Sequence, residues 1–97
     1  LPLGAATLVA PAAAMANVIA EGTVDLGERD ARRAGDLVHG SVAVHLYGKR
    51  SRPGRKVGHV TALAEDLATA RTRAREAARY LASRSGGAGP DRLTVAS

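Results

Sequence analysis

The sequence predicts an α+β domain: a small antiparallel sheet with a basic-loop hairpin, packed by one short and one long helix. Three observations carry this. Two runs rich in β-formers, Val42 to Gly48 and Lys56 to Leu63, flank a turn signal at Pro53-Gly54. Leu67, Ala70, Ala74, Ala77 or Ala78, and Leu81 recur at helical spacing between Glu65 and Ser83. Glu28 to Val38 reads as a shorter helix with acids near its start.

The hairpin comes first because charge concentrates there. Five of the 14 Lys and Arg residues fall between Lys49 and Lys56, namely Lys49, Arg50, Arg52, Arg55 and Lys56. Proline presets the φ of the first central turn position and glycine accepts positive φ at the next, so Pro53-Gly54 should turn the chain. The loop exceeds the two-residue hairpin and should stand out from the sheet. Side chains alternate faces along a strand. Val42, Val44 and Leu46 then share one face, and His45, Tyr47 and Lys49 the other. If Val60 and Ala62 join Val44 and Leu46 against the core, His59 and Thr61 fall beside His45 and Tyr47; a slip of one residue would separate the two sets. In that register one face carries two histidines, a tyrosine and a lysine under an Arg/Lys loop. Such a face suits a phosphate or carboxylate, because Arg offers a planar fork of donors and Lys a compact charge.

The chain has 97 residues, enough for one small domain with one core. It begins at Leu1, which we read as the start of a cut fragment or processed product. Two tyrosines are the only aromatic residues besides three histidines, so Ala, Val and Leu must build the core and stability should be modest. There is no cysteine, which excludes disulfides and thiolate metal sites and is compatible with a reducing cytoplasm. No apolar run approaches the roughly 20 residues of a membrane span. The opening stretch to Ala20 is broken by Pro2, Gly4 and Pro11 and has no basic leader, so it does not read as a signal peptide. The net charge of +5 points to anionic partners, though an arginine-favouring genome would produce it as well.

Leu1 to Gly4 looks like the end of a connection. Thr7 to Ala20 is ambiguous: its alanines favour helix, while Pro11 breaks one and Val9, Val18 and Ile19 tolerate extension. We place a strand over Ala14 to Ala20, then a loop from Glu21 to Gly27. In the short helix Leu37 and Val38 should be buried, and Gly40 should end it. In the long helix Glu65 and Asp66 sit at the N-terminus and Arg79 and Arg84 near the C-terminus, as the macrodipole prefers. Gly86-Gly87 stops it. Ser85 to Ser97 is Gly-rich and patternless and reads as a disordered tail.

Several motifs can be weighed and dismissed. Gly48 and Gly54-Arg55-Lys56 mimic a phosphate-binding P-loop. Five residues separate the glycines instead of four, Arg stands where Lys belongs, no Ser or Thr follows, and the segment leads into a strand. His45 and His59 have no third ligand at a telling spacing, so no metal site is expected; each reads equally as a hydrogen-bonded residue on a half-exposed strand. No Ser/His/Asp nucleophile pattern is present. Asn17 is either a polar strand residue or a cap to nearby backbone. Arg71, Arg73, Arg75 and Arg79 read as a solvated helix face. Aromatic stacking residues are nearly absent, so nucleic acid is not an expected partner. On charge alone the basic loop divides evenly between an anion seat and a solvated hairpin loop.

HLYGK from His45 to Lys49, followed by RPGRKVGHVTAL from Arg52 to Leu63, resembles the C-terminal signature of the 5-(carboxyamino)imidazole ribonucleotide synthetases. These are also called the ATPase subunit of phosphoribosylaminoimidazole carboxylase. LPLG at Leu1 to Gly4 and PAAAMANVIAEG at Pro11 to Gly22 resemble the same family in the same order. Val is usual where Ala16 stands and Met common where Val57 stands. The likeness covers roughly residues 1 to 82, and we expect the domain to span 1–84 with a tail over 85–97.

The resemblance implies the C-terminal lobe of a cytoplasmic ATP-grasp ligase of purine biosynthesis. Such enzymes use MgATP and bicarbonate to carboxylate the exocyclic amine of aminoimidazole ribonucleotide. It places the ATP-binding elements and magnesium ligands upstream of this chain, so Glu21, Asp25 and Glu28 are not drafted as substitutes. Carried over by position, Lys49, Arg55 and Lys56 are the implied contacts to the ribonucleotide phosphate, with His45, Tyr47 and His59 lining the site or holding the hairpin. No residue of this chain is assigned catalytic acid, base or metal-binding work. The implied partners are the ribonucleotide and the upstream ATP-grasp domains, with a homodimeric parent and a monomeric, inactive fragment. The rival readings are a basic nucleic-acid-binding module and a protein-interaction domain without catalytic role.

Overall fold

A computed structural model describes residues 11–38 and 41–87. In chain order it contains β1 (Ala12–Ile19), α1 (Glu28–Val38), β2 (Ser41–Leu46), β3 (Lys56–Ala64) and α2 (Leu67–Ser85). The strands form one antiparallel sheet in the order β1-β3-β2. The last strand in sequence is therefore the central one, and the connection through α1 passes over it. The class is α+β, as expected.

Burial alternates along the strands. Ala14, Ala62 and Val42 lie in register, as do Ala16, Val60 and Val44, and Val18, Gly58 and Leu46. These rows face the helices. The core is built from Val18, Ala20, Ala34, Val38, Val57, Val60, Ala77, Ala78 and Leu81, with Val42, Val44 and Tyr80 packed against it. Leu81 is the largest wholly buried side chain among the described residues. The alanines of α2 present no bulk, so the helix lies directly on β1 and β3. The backbone carries the same logic at Gly58, where an added Cβ would collide with the His45 carbonyl oxygen of the neighbouring strand.

The helix ends are sealed by side chains. Asp30 Oδ2 accepts the Gly27 N–H at 2.9 Å at the start of α1. Asp66 caps α2 by accepting the Thr69 N–H at 2.8 Å and the Thr69 hydroxyl at 2.9 Å. An ion pair of 3.3 Å between Arg84 Nε and Asp30 Oδ1 ties the end of α2 to the start of α1.

Four expectations need correction. Leu37 is 54 % exposed, because α1 turns Ala34 and Val38 inward and leaves Leu37 on the rim. Leu67 is 44 % exposed, at the first residue of α2, and burial along the helix begins at Ala70. The helix does not stop at Ser83: it runs to Ser85, which is buried, and Gly86 and Gly87 terminate it through bonds to the Ala82, Ser83 and Arg84 carbonyls. The strand placed over Ala14 to Ala20 spans Ala12–Ile19. The expectations for Leu1 to Gly4, Thr7 to Ala10, Gly40 and residues 88–97 lie outside the described residues. No helix among the described residues is long and apolar enough to cross a membrane.

Candidate functional site

The Lys49–Lys56 loop does turn at Pro53-Gly54. Gly54 has φ of 85°, and the Arg55 N–H donates to the Arg52 carbonyl at 2.9 Å. These are the marks of a type II turn with proline and glycine at its two central positions. The loop does not stand out from the sheet, however. The Gly54 N–H donates to the Ala20 carbonyl at 2.8 Å, and the Ala20 N–H donates to the Arg55 carbonyl at 2.8 Å. Two backbone bonds thus fold the loop against the end of β1. Its length allows this return, which a rule based on loop length alone does not foresee.

A third tether comes from the β1–α1 connection. Asp25 Oδ1 accepts the Ser51 N–H at 2.7 Å. Ser51 is only 3 % exposed, in a loop whose other members are mostly exposed. The result is an open depression of about 440 Å³ lined by Thr23, Asp25, Lys49, Arg50, Ser51, Arg52 and Arg55. Lys49 and Arg55 are therefore brought together as expected, joined by Arg50 and Arg52. Arg55 Nη1 also donates to the Arg50 carbonyl at 3.2 Å, which restrains its guanidinium over the loop. Lys56 is exposed at the start of β3, opposite Ile19, and does not line the depression.

The second group sits on the uncovered face of the sheet. His45 and His59 are directly opposed in β2 and β3, so they share one face as the pattern assumed, while Thr61 lies opposite Ala43. Their rings stack with centroids 4.9 Å apart and planes 11° apart. Tyr47 Oη lies 2.7 Å from His59 Nδ1, and Lys49 Nζ stands 5.9 Å from the centre of the Tyr47 ring. Lys49 thus links the stack to the depression. Asn17 of β1 lies opposite His59 on the other side, so one polar row, Asn17–His59–His45, crosses all three strands.

Sequence reasoning missed Asp25 and Ser51 as parts of the site. They are 26 residues apart, and neither local pattern marks their contact. The charge count flagged Arg50 and Arg52 but did not separate them from the other cations.

The sequence comparisons bear on this same segment. Residues 13–73 match the family model described as the phosphoribosylaminoimidazole carboxylase C-terminal domain. The chain belongs to this family. Its match runs from β1 through the basic hairpin into α2. The chain is also 40 % identical over 86 residues to proteins named N5-carboxyaminoimidazole ribonucleotide synthase from Mycobacterium bovis and Mycobacterium tuberculosis. It is 40 % identical over 84 residues to one of the same name from Corynebacterium ammoniagenes. Each alignment covers 82 % of this chain and 19 % of the relative, so the chain spans about a fifth of the length of the curated relatives it matches.

The donor set does not fit a magnesium–nucleotide site. Among the described residues no three His, Cys, Asp or Glu side chains gather to hold a metal ion. Asp25, Asp30 and Asp66 are each committed to backbone N–H groups. What the geometry offers is a set of cations over a fixed backbone.

Proposed function

We propose that this chain is the substrate-side C-terminal domain of an ATP- and bicarbonate-dependent ligase that carboxylates aminoimidazole ribonucleotide in de novo purine biosynthesis. Its task is to hold the ribonucleotide phosphate. The reading rests on one observation above the others: Lys49 and Arg55 converge on one depression with Arg50 and Arg52, inside the segment that matches the family. Lys49, Arg55 and Lys56 are the assigned phosphate contacts; Lys49 and Arg55 line the depression, and Lys56 follows Arg55 at the start of β3, outside its lining. His45, Tyr47 and His59 form the adjoining wall, tied to Lys49 through the Tyr47 ring.

The role is positioning. A dianionic phosphate is gripped far from the amine that reacts, so the binding energy can be used to orient that amine. MgATP is assigned to the ATP-grasp lobes of the parent enzyme, with which this domain packs, in a cytoplasmic homodimer. Each charge-assisted hydrogen bond contributes about 1.5–3 kcal/mol. At about 1.4 kcal/mol per tenfold, Arg55→Ala in the whole enzyme should raise the KM for ribonucleotide about ten- to a hundredfold. The KM for ATP should change little. Unchanged ribonucleotide kinetics would remove the assignment.

A further inference from the structure

We propose that Asp25 is a positioning residue for the basic loop: its carboxylate clasps the backbone at Ser51 and so keeps Lys49 and Arg55 convergent. This rests on the phosphate reading for its consequence in binding, though not for the clasp itself.

The argument begins with repulsion. Five cations within eight residues repel one another, and a loop of that composition tends to open. Something must hold it closed without consuming the donors that a ligand needs. Asp25 stands in the depression among Lys49, Arg50, Arg52 and Arg55, yet among the described residues its partner is the Ser51 N–H and no guanidinium or ammonium. A carboxylate bound to a backbone N–H makes a strong, charge-assisted contact. It fixes the chain at the middle of the loop and leaves the side-chain donors outward. Ser51 is a suitable anchor because it is already buried.

Asp25 is itself held. The Glu21 N–H donates to Ser85 Oγ at 2.8 Å, and the Val24 N–H donates to the Ser85 carbonyl at 2.9 Å. Gly22 lies so close to the same turn that an added Cβ would stand 2.8 Å from the Ser85 carbonyl oxygen. The segment bearing Asp25 is therefore strapped to the end of α2. A continuous chain of contacts runs from Ser85 through Glu21 and Val24 to Asp25 and on to Ser51.

A rival account is that Asp25 merely fills the depression with negative charge and competes with the ligand. The two differ in sign. Asp25→Asn keeps an oxygen that accepts the Ser51 N–H but removes the charge, whereas Asp25→Ala removes both. Amide hydrogen exchange on the 97-residue chain tests the clasp, with Val60 in the central strand as the control for intact folding. In Asp25→Ala the Ser51 and Gly54 amides should exchange about tenfold faster, and in Asp25→Asn, which keeps the acceptor but loses the charge, the increase should be clearly smaller. In the whole enzyme, Asp25→Ala should raise the KM for ribonucleotide about tenfold with kcat little changed, and Asp25→Asn should raise it less. Unaltered exchange at Ser51 in Asp25→Ala overturns the clasp. A KM that falls in both variants overturns it in favour of competition. An Arg55→Ala enzyme with unchanged ribonucleotide KM instead overturns the phosphate reading, so the two failures are told apart.

Discussion

Tyr47 Oη and His59 Nδ1 lie 2.7 Å apart across the β2–β3 pair, and the His59 ring stacks on His45. The bond is exposed, so its net contribution is small, about 0.5–1.5 kcal/mol. Tyr47→Phe should lower the urea midpoint by a corresponding amount and leave the urea dependence of stability unchanged. In a domain this size about 1 kcal/mol shifts Tm by roughly 4–8 °C. A drop well above that range would show that the tyrosine holds the hairpin through more than this bond.

The cap of α2 sets a pH dependence. Asp66 lies below its ordinary carboxylate range, chiefly because it accepts the Thr69 N–H and then the Thr69 hydroxyl. A folded-state pKa below the unfolded value means that the cap stabilises the fold above about pH 4. That contribution fades as pH falls through the folded-state value. Asp66→Ala should therefore unfold at lower urea than the parent at pH 7, and the gap should narrow towards pH 2. A gap independent of pH would mean that the charge on Asp66 does not matter.

Gly58 should tolerate no side chain. It lies in the central strand with Leu46 opposite, and a Cβ there runs into the His45 carbonyl oxygen. Backbone cannot step aside as a flexible side chain can. Gly58→Ala should cost about 1–3 kcal/mol by forced displacement of β2. Loss of the His45–His59 ring contact, seen as shifts in the imidazole carbon resonances, would accompany it.

Among the described residues Leu81 is the one leucine wholly buried beneath the sheet. Leu81→Ala should cost about 2–5 kcal/mol, the range for a leucine truncated in a core. In a core otherwise made of alanine and valine, little nearby bulk can collapse into the gap. Thermal melting of the variant checks this; a loss of only a degree or two would mean that α2 settles inward.

Most of the fold was legible because its signals are local. Alternation in VAVHL and HVTAL placed Val44 and Val60 inward together and His45 and His59 on one face; that the two histidines stand directly opposite comes from the strand pairing. The Ala70, Ala74, Ala77, Ala78 and Leu81 stripe fixed the buried side of α2 in the same way. Leu37 and Leu67 escaped because hydrophobicity alone does not say which residues of a helix its neighbours cover. Ser85 escaped because its burial depends on the β1–α1 connection, more than 60 residues earlier. The candidate site divides along the same line. Charge density marked the loop, and proline with glycine marked its turn. The bonds that fold the loop back come from Ala20 and Asp25, whose roles no neighbouring residue announces.

Because the central strand is synthesised last of the three, β1 has no sheet partner until β3 has been made. The β2–β3 hairpin is a local structure and can form early; bringing in β1 closes a much longer loop. Ala20 and Asp25 travel with β1 and its following connection, so they reach the hairpin in that later event. A half-assembled chain would carry every cation of the loop yet lack both of its tethers. On the phosphate reading proposed above, anion affinity in this domain is thus a report on the completion of folding, and not on the presence of the basic sequence alone.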